Sequence, residues 1–134
     1  MDTRTIKFRG ISKDTGRWIY GGFTQTPEAA FIVDYSVIVQ KPKDGYPTVY
    51  DVVEVIPETV GQSTDLKDKN GKEIYHHDIL QIRSLDLATG HFLGEVIWDY
   101  MAWLIRDGGM LDSFKNLHLE IIGNVHENPE LLNK

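Results

Sequence analysis

Glu95-Val96-Ile97-Trp98-Asp99-Tyr100-Met101-Ala102-Trp103-Leu104-Ile105-Arg106 contains two strand-like runs, Glu95–Asp99 and Ala102–Arg106, separated by Tyr100-Met101. β-Branched and aromatic residues dominate both runs, and a two-residue gap suits a tight antiparallel hairpin. The same pattern recurs outward from this point. Asp78-Ile79-Leu80-Gln81-Ile82-Arg83 reads as the preceding strand, with a loop over residues 85–92 around Gly90. Gly108-Gly109 interrupts the pattern, Leu111–Leu117 predicts one short helix, and Leu119–Val125 reads as a last strand. Short strands recurring about every ten residues between Gly, Pro and Asn turns are the signature of sandwiches and small barrels. The Trp98–Trp103 hairpin within residues 59–125 favours an SH3-like β-barrel.

The N-terminal part is also strand-rich. Ile6, Phe8 and Ile11 are separated by Lys7 and Arg9, the two-residue period of a half-buried strand. Lys13-Asp14-Thr15-Gly16 turns the chain into Arg17–Gly21, giving a hairpin over residues 6–21. Thr26-Pro27-Glu28-Ala29-Ala30 offers a cap and a first-position proline, predicting about one helical turn. Phe31–Val39 is a strand in which Phe31, Val33, Tyr35, Val37 and Val39 make an apolar parity, while Ile32, Asp34, Ser36, Ile38 and Gln40 are mixed. A turn follows over Lys41–Pro47, then a strand over Thr48–Ile56 ended by Pro57. Asn70-Gly71 predicts a type I′ turn. The expected fold is mainly β (β-rich α+β), with an N-terminal β-rich subdomain at 1–57 and an SH3-like barrel subdomain at 58–134. Asn128-Pro129-Glu130-Leu131-Leu132 predicts a short helical turn at the C-terminal end.

The 134 residues carry 14 Lys plus Arg against 20 Asp plus Glu, a net charge of −6, and no cysteine. Disulfide scaffolds, thiol catalysis, zinc ribbons and iron–sulfur clusters are excluded. The acidic balance argues against broad affinity for phosphate backbones. No stretch approaches the ~20 apolar residues of a membrane span, and Met1–Arg9 lacks the apolar core of a signal peptide. A cytoplasmic protein is expected, with no membrane partner.

His76-His77-Asp78 concentrates potential metal ligands, with His91, His118 and His126 elsewhere. Neighbouring histidines on an extended strand face opposite ways, so no metal site is assigned. The competing reading is a polar turn in which Asp78 bonds local backbone amides. The string Asp65, Lys67, Asp68, Lys69, Lys72, Glu73 alternates in sign and reads as a solvated hairpin. Trp98 and Trp103 are expected to fill the barrel core, and Tyr100 at the hairpin tip to be exposed. No nucleophile elbow, lysine-paired serine or phosphate-cradling loop is present, so no catalytic residue and no cofactor are expected. Tyr100, Trp103, Tyr75, His76, His77 and Asp78 form the candidate binding set.

Residues 59–80, Thr-Val-Gly-Gln-Ser-Thr-Asp-Leu-Lys-Asp-Lys-Asn-Gly-Lys-Glu-Ile-Tyr-His-His-Asp-Ile-Leu, resemble the signature of the YopX family of phage and prophage proteins. Ile6-Lys7-Phe8-Arg9-Gly10 and the closing Ile122–Leu132 stretch agree with it. The resemblance implies a prophage-encoded cytoplasmic protein, mostly β, with an SH3-like barrel in its C-terminal part, and carries over no catalytic residue. Family members commonly have Thr-Gly-Leu-Lys-Asp and Ile-Tyr-Glu-Gly-Asp. Here Asp65 stands for that first glycine and His76-His77 for the Glu-Gly pair.

The leading functional expectation is a non-enzymatic protein-interaction module, either self-associating as a homo-oligomer or binding a host or phage protein, through strand edges and an aromatic hairpin. The second is a nucleic-acid-binding regulator of replication or transcription, against which net acidity counts. The third is a metal-dependent hydrolase using His76, His77 and Asp78.

Overall fold

A computed structural model describes residues 6–83, 91–99, 102–106, 109–111 and 118–132. Within them the protein is mainly β, and its strands form two antiparallel sheets. The chain divides into two compact units, Met1–Gln62 and Ser63–Lys134.

In the first unit β1 (Phe8–Ile11) and β2 (Trp18–Gln25) pair from Phe8↔Gly21 to Ile11↔Trp18, the hairpin that alternation predicts. Ser12 Oγ accepts the amides of Asp14 and Thr15, both at 3.2 Å, and Gly16 at φ 73° closes the turn. The helical turn expected after Thr26 is not formed. Gln25 pairs directly with Ala30 of β3 (Ala30–Gln40), and Thr26 Oγ1 accepts the Ala29 amide at 3.1 Å. The capping chemistry is present, but four residues between paired strands leave no length for a helix. At Gly21 an added Cβ would lie 1.8 Å from the Val33 carbonyl oxygen, so no side chain fits there. β4 (Val49–Val55) returns along β3 after Lys43-Asp44-Gly45-Tyr46, where Asp44 (φ 50°) and Gly45 (φ 84°) make the two positive-φ positions of a type I′ turn. A 3₁₀ turn follows at Pro57–Thr59.

The core of this unit is Ala30, Ile32 and Val55, packed by Phe8, Ile19, Phe23 and Val60. It therefore takes the mixed parity of β3, opposite to the face that composition favours. Phe31 and Val33 of the apolar parity are half-buried, and Tyr35, Val37 and Val39 are exposed. β2 follows β3 only as far as Gly22↔Val33, so among the described residues the outer part of β3, with Tyr35, Val37 and Val39, is flanked by β4 alone.

β5 (Gly61–Lys67) starts beside β1 and continues beside β6 (Glu73–Tyr75), giving the order β4-β3-β2-β1-β5-β6. The Asn70-Gly71 turn is not type I′. Gly71 is at φ 81° but Asn70 is not at positive φ, and the Gly71 amide reaches the Asp68 carbonyl at 3.0 Å. Asp68 selects this form by accepting the amides of Asn70 and Lys72 on Oδ1, both at 2.9 Å. It is buried, and its Oδ2 also accepts the Ile121 amide at 3.1 Å, so it is not part of a solvated charge string.

The second unit contains β7 (Asp78–Arg83), β8 (His91–Asp99), β9 (Ala102–Ile105), β10 (Gly109–Met110) and β11 (His118–Asn124), ordered β10-β9-β8-β7-β11. β8 starts earlier than the sequence suggests, with His91 opposite Arg83. β10 and β11 are the two edges of this sheet, and among the described residues no ladder closes them into a barrel. The expected SH3-like closure is thus not seen: β10 is two residues long and pairs only with β9. The expected helix over Leu111–Leu117 lies, after Leu111, outside the described residues. Ile74, Leu80, Ile82, Val96, Ile105, Leu111 and Leu119 form the core, with Leu66, Trp103 and Ile121 against it. Each such side chain contributes about 1.5–3 kcal/mol by burial. The tail ends in a 3₁₀ turn at Pro129–Leu132, as its proline predicts.

Candidate functional site

The β6–β7 turn gathers part of the sequence-derived set. Tyr75 is buried beside the core, and Asp78, 1% exposed, accepts the Tyr75 amide on Oδ2 at 2.8 Å. Both are architectural in placement. His76 and His77 occupy the turn itself, with His77 at φ 74°, so strand alternation does not apply to them. Their rings stack at 3.7 Å and 15° instead of facing apart. His76 meets Trp103 edge-on at 5.4 Å, Trp103 meets its cross-strand partner Trp98 at 4.9 Å, and His77 meets His126 at 5.2 Å. Five rings therefore form one track. Tyr100 lies outside the described residues.

Trp103 packs on the core as expected, but Trp98 is 52% exposed. It shares the parity of buried Val96 yet sits near the hairpin end, past the last core residues. Sequence reading missed Glu95 and Arg106. His77 Nδ1 lies 2.8 Å from Glu95 Oε2, and Arg106 Nε donates to Glu95 Oε1 at 3.1 Å. Burial acts to raise the Glu95 pKa, but the hydrogen bonds and charges of His77 and Arg106 outweigh it and hold the carboxyl below its ordinary value. The signal for this trio was the β8–β9 register, in which the Arg106 amide bonds the Glu95 carbonyl at 2.8 Å. Among the described residues no group of three or more His, Asp or Glu is arranged to hold a metal ion.

A second feature lies in the first unit. The outer half of the β3–β4 hairpin exposes Tyr35, Val37, Ile38, Val39, Tyr46, Val49 and Val52. Tyr35 packs edge-on against Tyr50 at 5.1 Å and 88°. The ladder shifts register between Asp34 and Ile38, where Ser36 turns back to bond Asp34 Oδ1. β4 is the terminal strand of its sheet. An apolar two-stranded arm with an open edge is a ready template for strand addition or apolar docking.

A mainly β chain of two antiparallel sheets, with several buried polar side chains bonded to main-chain amides and an apolar hairpin arm exposed, is the class of protein these features define. The model of the YopX protein family matches residues 7–133, and the chain belongs to that family. It is also similar to the crystal structure of protein EF1440 from Enterococcus faecalis, with a TM-score of 0.66 and 22% identity over 97% of this chain and 99% of that one, which shows a shared fold. No curated protein sequence matches it. No helix among the described residues is long and apolar enough to cross a membrane.

Proposed function

We propose that this is a non-enzymatic protein-interaction module, a phage or prophage accessory factor acting in the bacterial cytoplasm, whose contact surface is the β3–β4 arm. The observation that carries the reading is the run of exposed Tyr35, Val37, Ile38, Val39, Val49 and Val52 beside an open strand edge. Exposed apolar surface of this kind is costly in water and marks protein contacts. The signature stretch supports the same reading. Thr59, Ser63, Thr64, Asp68 and Asp78 are buried, and each accepts a main-chain amide: those of Ile11, Asp65, Leu66, Ile121 and Tyr75 respectively are among them. These polar residues of the signature stretch thus hold the main chain of the strands around them. Nucleic acid is the competing partner, disfavoured by a net charge of −6.

A photo-crosslinking residue placed at Val37, and at exposed Gln25 as control, tests this in cells carrying the gene. A discrete protein adduct at Val37 and none at Gln25 is expected. No adduct at either position, or the same adducts at both, overturns the reading.

A further inference from the structure

We infer that Asn70 is a self-modification site: the Gly71 main-chain nitrogen displaces its side-chain amide, and the isoaspartyl product releases the Asp68–Lys72 turn from the edge of the second sheet. Asn70, Gly71 and Lys72 are all exposed, and among the described residues no hydrogen bond holds the Asn70 carboxamide. The following residue is glycine, so no Cβ shields the nitrogen that must attack. The space around it is open as well, since a Cβ built at Gly71 would meet nothing within 4 Å.

The reaction balances on water alone. The Gly71 nitrogen loses its proton to solvent and bonds Asn70 Cγ, the Cγ–Nδ2 bond breaks, and ammonia leaves, closing a five-membered imide. Water then opens the ring. Attack at Cγ gives an ordinary aspartyl chain. Attack at the Asn70 main-chain carbonyl leaves the backbone running through Cβ and Cγ, one atom longer, with a free α-carboxylate. Either product carries a new negative charge at neutral pH.

The folded turn holds this chemistry back. The Gly71 N–H donates to the Asp68 carbonyl at 3.0 Å, so the attacking nitrogen is engaged. Asp68 Oδ1 accepts the amides of Asn70 and Lys72, both at 2.9 Å, and the Asp68 amide donates to the Lys72 carbonyl at 2.8 Å. An imide has no Gly71 N–H left to donate. Attack therefore requires the turn to open, a local event governed by these bonds and not by the stability of the whole unit.

The same turn is docked on β11. The Lys69 amide donates to the Leu119 carbonyl at 2.8 Å, the Ile121 amide donates to Asp68 Oδ2 at 3.1 Å, and Lys69 Nζ lies 3.4 Å from Glu120 Oε1. β11 pairs with β7 on its other side and is an edge strand of its sheet. A backbone one atom longer between Asp68 and Lys72 breaks the spacing that lets one carboxylate oxygen accept both amides. The modified turn thus frees the Leu119 carbonyl and the Ile121 amide, and a covered strand edge becomes an open one.

Peptide mapping that separates aspartyl from isoaspartyl forms, during incubation of the purified chain in mildly alkaline buffer, reads the site directly. Conversion at Asn70 is expected to be at least about tenfold slower in the folded chain than in urea, equal to ~1.4 kcal/mol of local opening. Asp68→Ala is expected to recover most of that factor. Trp103→Ala, which weakens the core of the same unit without touching the turn, is not. Asp68→Asn and Trp103→Phe stand in where an alanine variant does not fold. Isoaspartyl chains separated after ageing should exchange the Lys69 and Ile121 amides at least about tenfold faster than fresh chains, with the amides of β8 unchanged. Asn70→Gln, aged in the same way, keeps both amides protected. The inference is overturned by any of four results: no conversion at Asn70 in urea, equal rates in folded and unfolded chains, equal acceleration by the two variants, or isoaspartyl chains in which Lys69 and Ile121 stay protected.

Discussion

Asp68 accepts three main-chain amides while buried, and charged acceptors make the stronger hydrogen bonds. Asp68→Ala is therefore expected to lower stability by about 2–4 kcal/mol in urea denaturation, because it orphans amides on two separate segments. A loss below about 0.5 kcal/mol contradicts that role. Asp65 (φ 64°) and His77 (φ 74°) are both left-handed, the conformation that favours glycine. The backbone keeps the glycine conformation with a side chain present, a cost near 1 kcal/mol per residue. Asp65→Gly is accordingly expected to raise stability by about 0.5–1 kcal/mol, measured by thermal unfolding. At His77 the side chain offsets the strain by bonding Glu95. Glu95 in turn titrates below its ordinary value of 4.5 in the folded protein. A depressed folded pKa means that its stabilising contribution is complete above about pH 4.5 and is lost as pH falls toward the depressed value. The stability gap between wild type and Glu95→Gln should shrink as pH falls below 4.5; a gap that grows over that range refutes the assignment.

Elements were more legible than their faces. The 6–21 hairpin, β3, β4, β7 and the last strand follow from alternation and turn residues, because local sterics dictate both. Which parity of β3 is buried did not follow. Phe31, Val33 and Tyr35 look like the inner face, but Ala30 and Ile32 are the ones buried with Val55 and packed by Phe23. A strand carries no local record of which of its faces the rest of the chain will cover. The two tryptophans of the β8–β9 hairpin show the same limit, since they are cross-strand partners with different burial. Trp103→Ala is expected to cost about 2–4 kcal/mol and Trp98→Ala less than about 1, by the same denaturation measurement. Equal losses at the two positions contradict the described hairpin. The double change Val37→Lys with Val39→Lys on the arm should alter stability by no more than about 0.5 kcal/mol, because neither side chain is part of a core.

At the scale of the whole molecule, the mainly β class and the family were readable from strand spacing and the 59–80 signature, whereas barrel closure was not. Closure depends on a ladder between β10 and β11, and no pattern within either strand encodes it. The candidate site was half readable. His76, His77 and Trp103 come together, but through a left-handed turn and a hairpin register that the residues do not announce one by one. The account as a whole turns on the open edge of β4 as the place where the protein meets its partner. Amide hydrogen exchange read residue by residue, on the chain alone and on the chain isolated with the protein that crosslinks at Val37, addresses that edge directly. The β4 amides not bonded to β3 should exchange freely in the chain alone and become protected in the complex, while those bonded to β3 stay protected in both. Edge amides that exchange at the same rate in both samples contradict the account.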